Sequence, residues 1–164
     1  EIENYDKAIM YAEQVLNHDN SNAQFKNDAY LIVARASMIQ GNESKAKAAY
    51  KALENSVTGR MAAEALYYSA YFENKAENYK VSNEVIQNLV KNYSSYKEYS
   101  AKGLVIMAKN YDALNDAFQA TYILESVITN FTEFEDVVEQ AQEELQRIKT
   151  KEAKTNASIE PDNN

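Results

Sequence analysis

The feature that most constrains this chain is a ladder of small residues, each opening an apolar stripe of helical period. Ala8, Ala46, Ser82 and Ala120 follow one another at steps of 38, 36 and 38 residues. Behind them, at i+4 and i+7, stand Ala12 and Val15, Tyr50 and Leu53, Ile86 and Leu89, and Leu124 and Val127. That spacing puts each set on one face of an α-helix. The small residue lets a neighbouring helix backbone approach closely, and the larger side chains fill the space beyond. A second ruler runs beside the first: Ser21, Thr58, Ser95 and Thr132 stand 37 apart. Three of these hydroxyl residues pair with Gln24, Glu98 and Glu135 three positions on, the spacing of a capping box. Such a cap satisfies an N–H that the helix start leaves unpaired and is worth about 1 kcal/mol. A chain built this way stacks like units, because one helix pair alone cannot cover both of its faces.

The most complete unit is DAYLIVARASMIQGNESKAKAAYKALEN, from Asp28 to Asn55. Tyr30, Val33, Ala34 and Ser37 form the stripe of its first helix and Ala46, Tyr50 and Leu53 that of its second, with a tight turn predicted at Gly41-Asn42. This pattern resembles the tetratricopeptide (TPR) repeat, a helix–turn–helix unit of roughly 34 residues. The resemblance implies an all-α fold, a right-handed TPR-like superhelical solenoid of antiparallel helix pairs with a C-terminal capping helix. Residues 1–20 are then a half-unit, 21–57, 58–94 and 95–131 complete units, 132–149 the capping helix and 150–164 a flexible tail. In the third unit two registers stay open. Aligning Ala70 with Ala34 and Ala108 places Glu73 at an apolar position, whereas a shift of one residue buries Phe72. Phe134, Val137, Val138, Ala141, Leu145 and Ile148 make a single stripe, as a helix closing the stack requires.

Composition then narrows the function. With 3 Gly and 1 Pro a turn-rich β fold is disfavoured, and a net charge of −8 argues against nucleic acid or an anionic membrane surface as partner. No apolar run approaches the ~18 residues of a membrane span. The chain has no Cys and a single His, so neither a thiolate nor a His/Cys metal site can be assembled from it, nor a Ser–His–Asp relay. His18 reads as an inter-helix turn residue, and Glu133, Glu135 and Asp136 as carboxylates favouring a helix start. Gly41, Gly59 and Gly103 are too scattered for a phosphate loop. The expectation is a chain that is not an enzyme, with no catalytic, cofactor-binding or metal residues. Because it opens at Glu1 within the second half of a unit, it reads as part of a larger protein.

What remains is a surface. In TPR arrays the first helices of successive units line a concave groove that holds a peptide or protein partner. Carried onto this chain, the resemblance implies Leu31, Arg35 and Met38 from the second unit, Glu64, Tyr67 and Tyr71 from the third, and Lys102, Val105 and Lys109 from the fourth. Tyr67 and Tyr71 also suit a second role, packing between units as core. The Asn-aromatic junctions in LVKNYSSYKEYSAKGLVIMAKNY and ESVITNFTEFEDVVEQAQEEL resemble bacterial cell-envelope TPR proteins. That likeness implies a periplasmic or outer-membrane-associated setting. The function expected is a non-catalytic protein–protein interaction scaffold. A structural spacer, or a regulatory module of a larger multidomain protein, is the alternative, and oligomeric state is open.

Overall fold

The computed structural model describes residues 2–159. It holds eight α-helices and, among the described residues, no strand: α1 (Ile2–Asn17), α2 (Ala23–Ile39), α3 (Glu43–Leu53), α4 (Gly59–Lys75), α5 (Tyr79–Asn92), α6 (Lys97–Ala113), α7 (Ala117–Asn130) and α8 (Glu135–Ile159). Each helix packs on the next, and α4 also packs on α6, and α6 on α8. No helix among the described residues is long and apolar enough to cross a membrane.

The turns that join first to second helices are copies of one another. Gly41, Glu77 and Asn115 hold left-handed φ angles of +73°, +61° and +62°. Just after them, the N–H groups of Asn42, Asn78 and Asp116 reach back to the carbonyls of Ser37, Glu73 and Tyr111 at 2.8, 2.9 and 2.8 Å. A left-handed residue followed by this return bond ends a helix and satisfies its last carbonyls. Asn42 and Asp116 then cap the next helix, accepting from the N–H groups of Lys45 and Gln119. One short turn thus closes one helix and starts the next, at the Gly41-Asn42 site where the sequence predicts it.

The small-residue ladder becomes the seam of each pair. Ala34 and Ala46, Ala70 and Ser82, and Ala108 and Ala120 are all fully buried. In the middle pair the Ser82 hydroxyl donates to the Ala70 carbonyl at 2.8 Å, a contact that requires close backbones. Tyr50, Leu53, Ile86, Leu89, Leu124 and Val127 fill the interior beyond. In the third unit the register that aligns Ala70 with Ala34 and Ala108 holds, and Phe72 is buried without a shift, as are Ala36 and Asn110 at the same position. Ala70 and Phe72 are buried while Glu73 is half-exposed and pairs with Lys47. At the far end Val137, Ala141 and Ile148 are buried against α6 and α7, with Phe134 and Leu145 packed beside them.

Two expectations are corrected. The ladder of hydroxyl residues does not supply the first-helix caps. Asn22 caps α2, accepting from the Phe25 N–H at 2.9 Å, whereas the Ser21 hydroxyl donates to the Val15 carbonyl at 2.8 Å. Thr58 stands at the start of α4 with no side-chain cap bond, Tyr96 rather than Ser95 precedes α6, and α8 begins at Glu135, beyond Thr132. The structural starts Asn22, Thr58 and Tyr96 step by 36 and then 38, so an even ruler drifts off them. The second correction concerns residues 150–159, expected as flexible tail, which continue α8. No apolar stripe announces this extension. Its Lys, Glu and Ala residues favour helix, and Lys151 is tied to buried Asp112 at 2.8 Å. Residues 160–164 lie outside the described residues.

Candidate functional site

The first helices carry the candidate surface, and at its centre is a buried acid. Glu64 lies in the Ala-rich start of α4, between Ala63 and Ala65, and is only 2% exposed. Its two carboxylate oxygens take four donors from three other helices. Arg35 on α2 donates from Nε to Oε1 at 2.7 Å and from Nη2 to Oε2. The Tyr50 hydroxyl of α3 donates to Oε1 at 3.0 Å, and that of Tyr99 on α6 to Oε2 at 2.8 Å. A carboxylate offers about four acceptor positions, so every one is filled. Burial alone would raise the Glu64 carboxyl, but the bonds from Arg35, Tyr99 and Tyr50 and the Arg35 charge outweigh it and hold the acid below its ordinary range. Burial and the Glu64 charge push the Tyr50 hydroxyl far up. Burial, with the bond to Glu64, raises that of Tyr99 to about 12. Both phenols are therefore neutral donors near pH 7. With no free lone pair, Glu64 ties α2, α3, α4 and α6 together and has none to spare for a substrate.

This arrangement corrects part of the expected surface. Leu31, Glu64 and Val105 are 9%, 2% and 3% exposed, so they face the interior and not a partner. Leu31 packs in the first core cluster and Val105 in the last, because each lies on the side of its helix turned toward the neighbouring pair. The other six keep accessible surface. Met38 is half-buried against the first cluster. Tyr67 is half-buried, its ring 4.9 Å from that of Tyr68 and 6.0 Å from that of Tyr99. Burial pushes the Tyr67 hydroxyl up to about 12. Tyr71 is half-buried beside Phe72, and its hydroxyl donates to Glu43 at 2.8 Å under the Lys75 ammonium. Lys102 pairs with Glu98 at 2.7 Å. Arg35 is exposed at its outer edge, and Lys109 is exposed with no ion-pair partner among the described residues.

Arg35, Tyr71 and Lys109 are the same position of three successive first helices, one turn after Leu31, Tyr67 and Val105. In α2 and α6 an inward residue is thus followed by an accessible one, while in α4 Tyr67 and Tyr71 are both half-buried. Arg35 spends two of its five N–H groups on Glu64 and turns the rest to solvent, so its outer edge is held in place. Sequence reasoning missed Tyr50 and Tyr99 as partners of Glu64. The available signal was the setting of Glu64, a lone acid among alanines on a helix that buries its neighbours.

No family model matches the chain. No curated protein matches it in sequence. The surface therefore has to be read from its own geometry. Among the described residues no cluster of three His, Cys, Asp or Glu side chains could hold a metal ion. The polar groups that converge on Glu64 neutralise one another. Arg35, Tyr71 and Lys109 are spaced by one helix pair each.

Proposed function

We propose that this chain is a TPR-like, right-handed superhelical solenoid that acts as a non-catalytic scaffold, binding a peptide or protein through the concave wall of its first helices. The observation that carries this reading is the packing of α4 on α6 and α6 on α8, with Arg35 bridging α2 to α4, while α3, α5 and α7 have no comparable packing among themselves. Helices that touch every second neighbour lie on the inside of a curved stack, so their free faces form its inner wall. Along that wall the accessible side chains are Arg35, Tyr71 and Lys109, with Met38, Tyr67 and Lys102 beside them. A Tyr between two cations suits a partner that brings carboxylates and an apolar side chain, and a preformed wall limits the ordering cost of binding. In a bacterial cell-envelope setting such a scaffold would hold one component of an assembly against another.

A photo-crosslinking residue placed at Lys109 tests the reading, with the same residue at exposed Lys80 on α5 as the control surface. In the source cell the Lys109 position should give a defined adduct that Lys80 does not. Equal adducts from both, or none from Lys109, would favour a structural spacer instead. The concave wall would then have no binding role.

A further inference from the structure

The second helices share an outward stripe that stays uncovered from one pair to the next. In α3 it holds Ser44 and Ala48, and in α5 Lys80 and Glu84, all of them exposed. Helices precede and follow both of these, so the exposure belongs to the position and not to either end of the array. In α7 the same two positions, each 38 residues on from α5, hold Phe118 and Tyr122. Their exposures are 75% and 65%, and neither ring belongs to a core cluster. Standing one turn apart, they share one face of the helix. The interior of the fold makes no use of them.

The apolar surface continues across the turn between α6 and α7. Leu114, 38% exposed, joins Tyr79 and Val81, 47% exposed, in lining a cleft of about 330 Å³, with Glu77 and Lys80 at the same cleft. The carboxylates of Glu77 and Glu84 have no hydrogen-bond or ion-pair partner among the described residues. Asp116, between Leu114 and Phe118, accepts the Gln119 N–H at 3.0 Å, and beyond Tyr122 the Glu125 carboxylate is already met by Lys149. Three carboxylates thus border the patch against the single ammonium of Lys80. A buried aromatic contributes about 150–250 Å², so the four apolar side chains at these exposures present roughly 450 Å². A second copy set against the same patch would bury roughly 900 Å² in all, short of the ~1,200 Å² of a stable interface. It would also bring like charges together, as would an anionic bilayer. A Lys or Arg fits instead, its aliphatic stem along Leu114 and Val81 and its charged head at Glu77.

We propose that this outer surface of α5 and α7 docks a segment of another protein in which a Lys or Arg stands within three residues of an aromatic or large aliphatic side chain. The cation enters the cleft beside Glu77, and the apolar side chain packs on Phe118 and Tyr122. The site is separate from the concave wall and stands whether or not that wall binds anything.

The probe is a phage-displayed library of random dodecapeptides, selected on the whole chain and counter-selected on its Phe118→Ser variant. Enriched sequences should pair Lys or Arg with an aromatic or large aliphatic residue. The leading peptide, fluorescein-labelled and titrated by anisotropy, should lose at least about tenfold in affinity in the Phe118→Ser and Tyr122→Ser proteins, the size of losing one apolar anchor. Both rings are exposed, so the melting temperature should hold. Changing the peptide's cation to Glu should weaken binding to the wild-type protein and restore it in the Glu77→Lys protein. Glu139→Lys, at an exposed acid on α8, should change little and controls for general attraction to an acidic chain. An uncharged or acidic consensus, no enrichment, or a loss from Glu139→Lys equal to that from Glu77→Lys would overturn the proposal. So would a chain that sediments as a dimer and becomes monomeric in the Phe118→Ser variant, because the occupant would then be a second copy.

Discussion

Glu77 holds a φ of +61° at the turn where Gly41 and Asn115 hold nearly the same angle. Glycine meets no Cβ penalty there and asparagine tolerates the conformation, but glutamate is held against a cost of about 1–2 kcal/mol. Glu77→Gly relieves that strain and loses part of the gain to unfolded-chain entropy. The variant should be more stable by about 0.5–1 kcal/mol, read as a higher urea midpoint. Glu64 works in the opposite sense, as an acid whose loss is costly. Its folded pKa lies below the ordinary value, so the folded chain binds that proton less readily than the unfolded one. The stability it contributes is complete above the ordinary carboxylate range and is lost as pH falls through the lowered pKa. Glu64→Gln should cost about 2 kcal/mol at neutral pH, the scale of breaking charged hydrogen bonds that reach a partly exposed arginine. The variant's stability should also fall less steeply with acid than the wild type's, and parallel acid limbs would show that the network does not govern acid stability. Asp112, which burial would raise, is instead held low by Lys151 and Arg147 and adds to the same acid limb.

At the scale of elements, α8 has two parts with different duties. Its first half buries Val137, Ala141 and Ile148 against α6 and α7, and its second half is tied back by charge through Lys151. Removing residues 132–164 should expose the last core cluster and make the chain self-associate, visible as a larger species in sedimentation. Cutting after Lys149 should cost little, under about 1 kcal/mol, because Lys151 is half-exposed and Arg147 still meets buried Asp112. Equal loss from both cuts would place the capping role in residues 150–159. The first half was legible because an apolar stripe records burial directly. The extension was not, because helix propensity and ion pairs leave no stripe to follow.

Across the whole molecule, protection should follow how many neighbours each helix has. α4 and α6 pack on three or more other helices, while α1 packs chiefly on α2. Amide hydrogen exchange should accordingly be slowest in α4 and α6 and fastest in α1 and residues 150–159. Uniform protection would mean that the chain opens only as a whole. The buried bonds of Asn110 to Ser82 and Asn83, and the half-buried one from Asn74 to Asn110, lie at the centre of this gradient.

By itself the sequence determined the helix pairs, the turn at Gly41-Asn42 and the seam of Ala34, Ala46, Ser82, Ala108 and Ala120, while the place of Ala70 stayed open between two registers. All of these are repeated locally, and a helical stripe with a turn between is a short-range consequence of residue order. It also brought Arg35, Tyr71 and Lys109 to equivalent positions. Only the tertiary structure decided which neighbours of those residues stay accessible. Leu31, Glu64 and Val105 share the same helices but are closed off by side chains that arrive from other pairs. Glu64 shows why: its partners Arg35, Tyr50 and Tyr99 come from three other helices, and no periodicity within one helix encodes a contact whose two sides are set by different units.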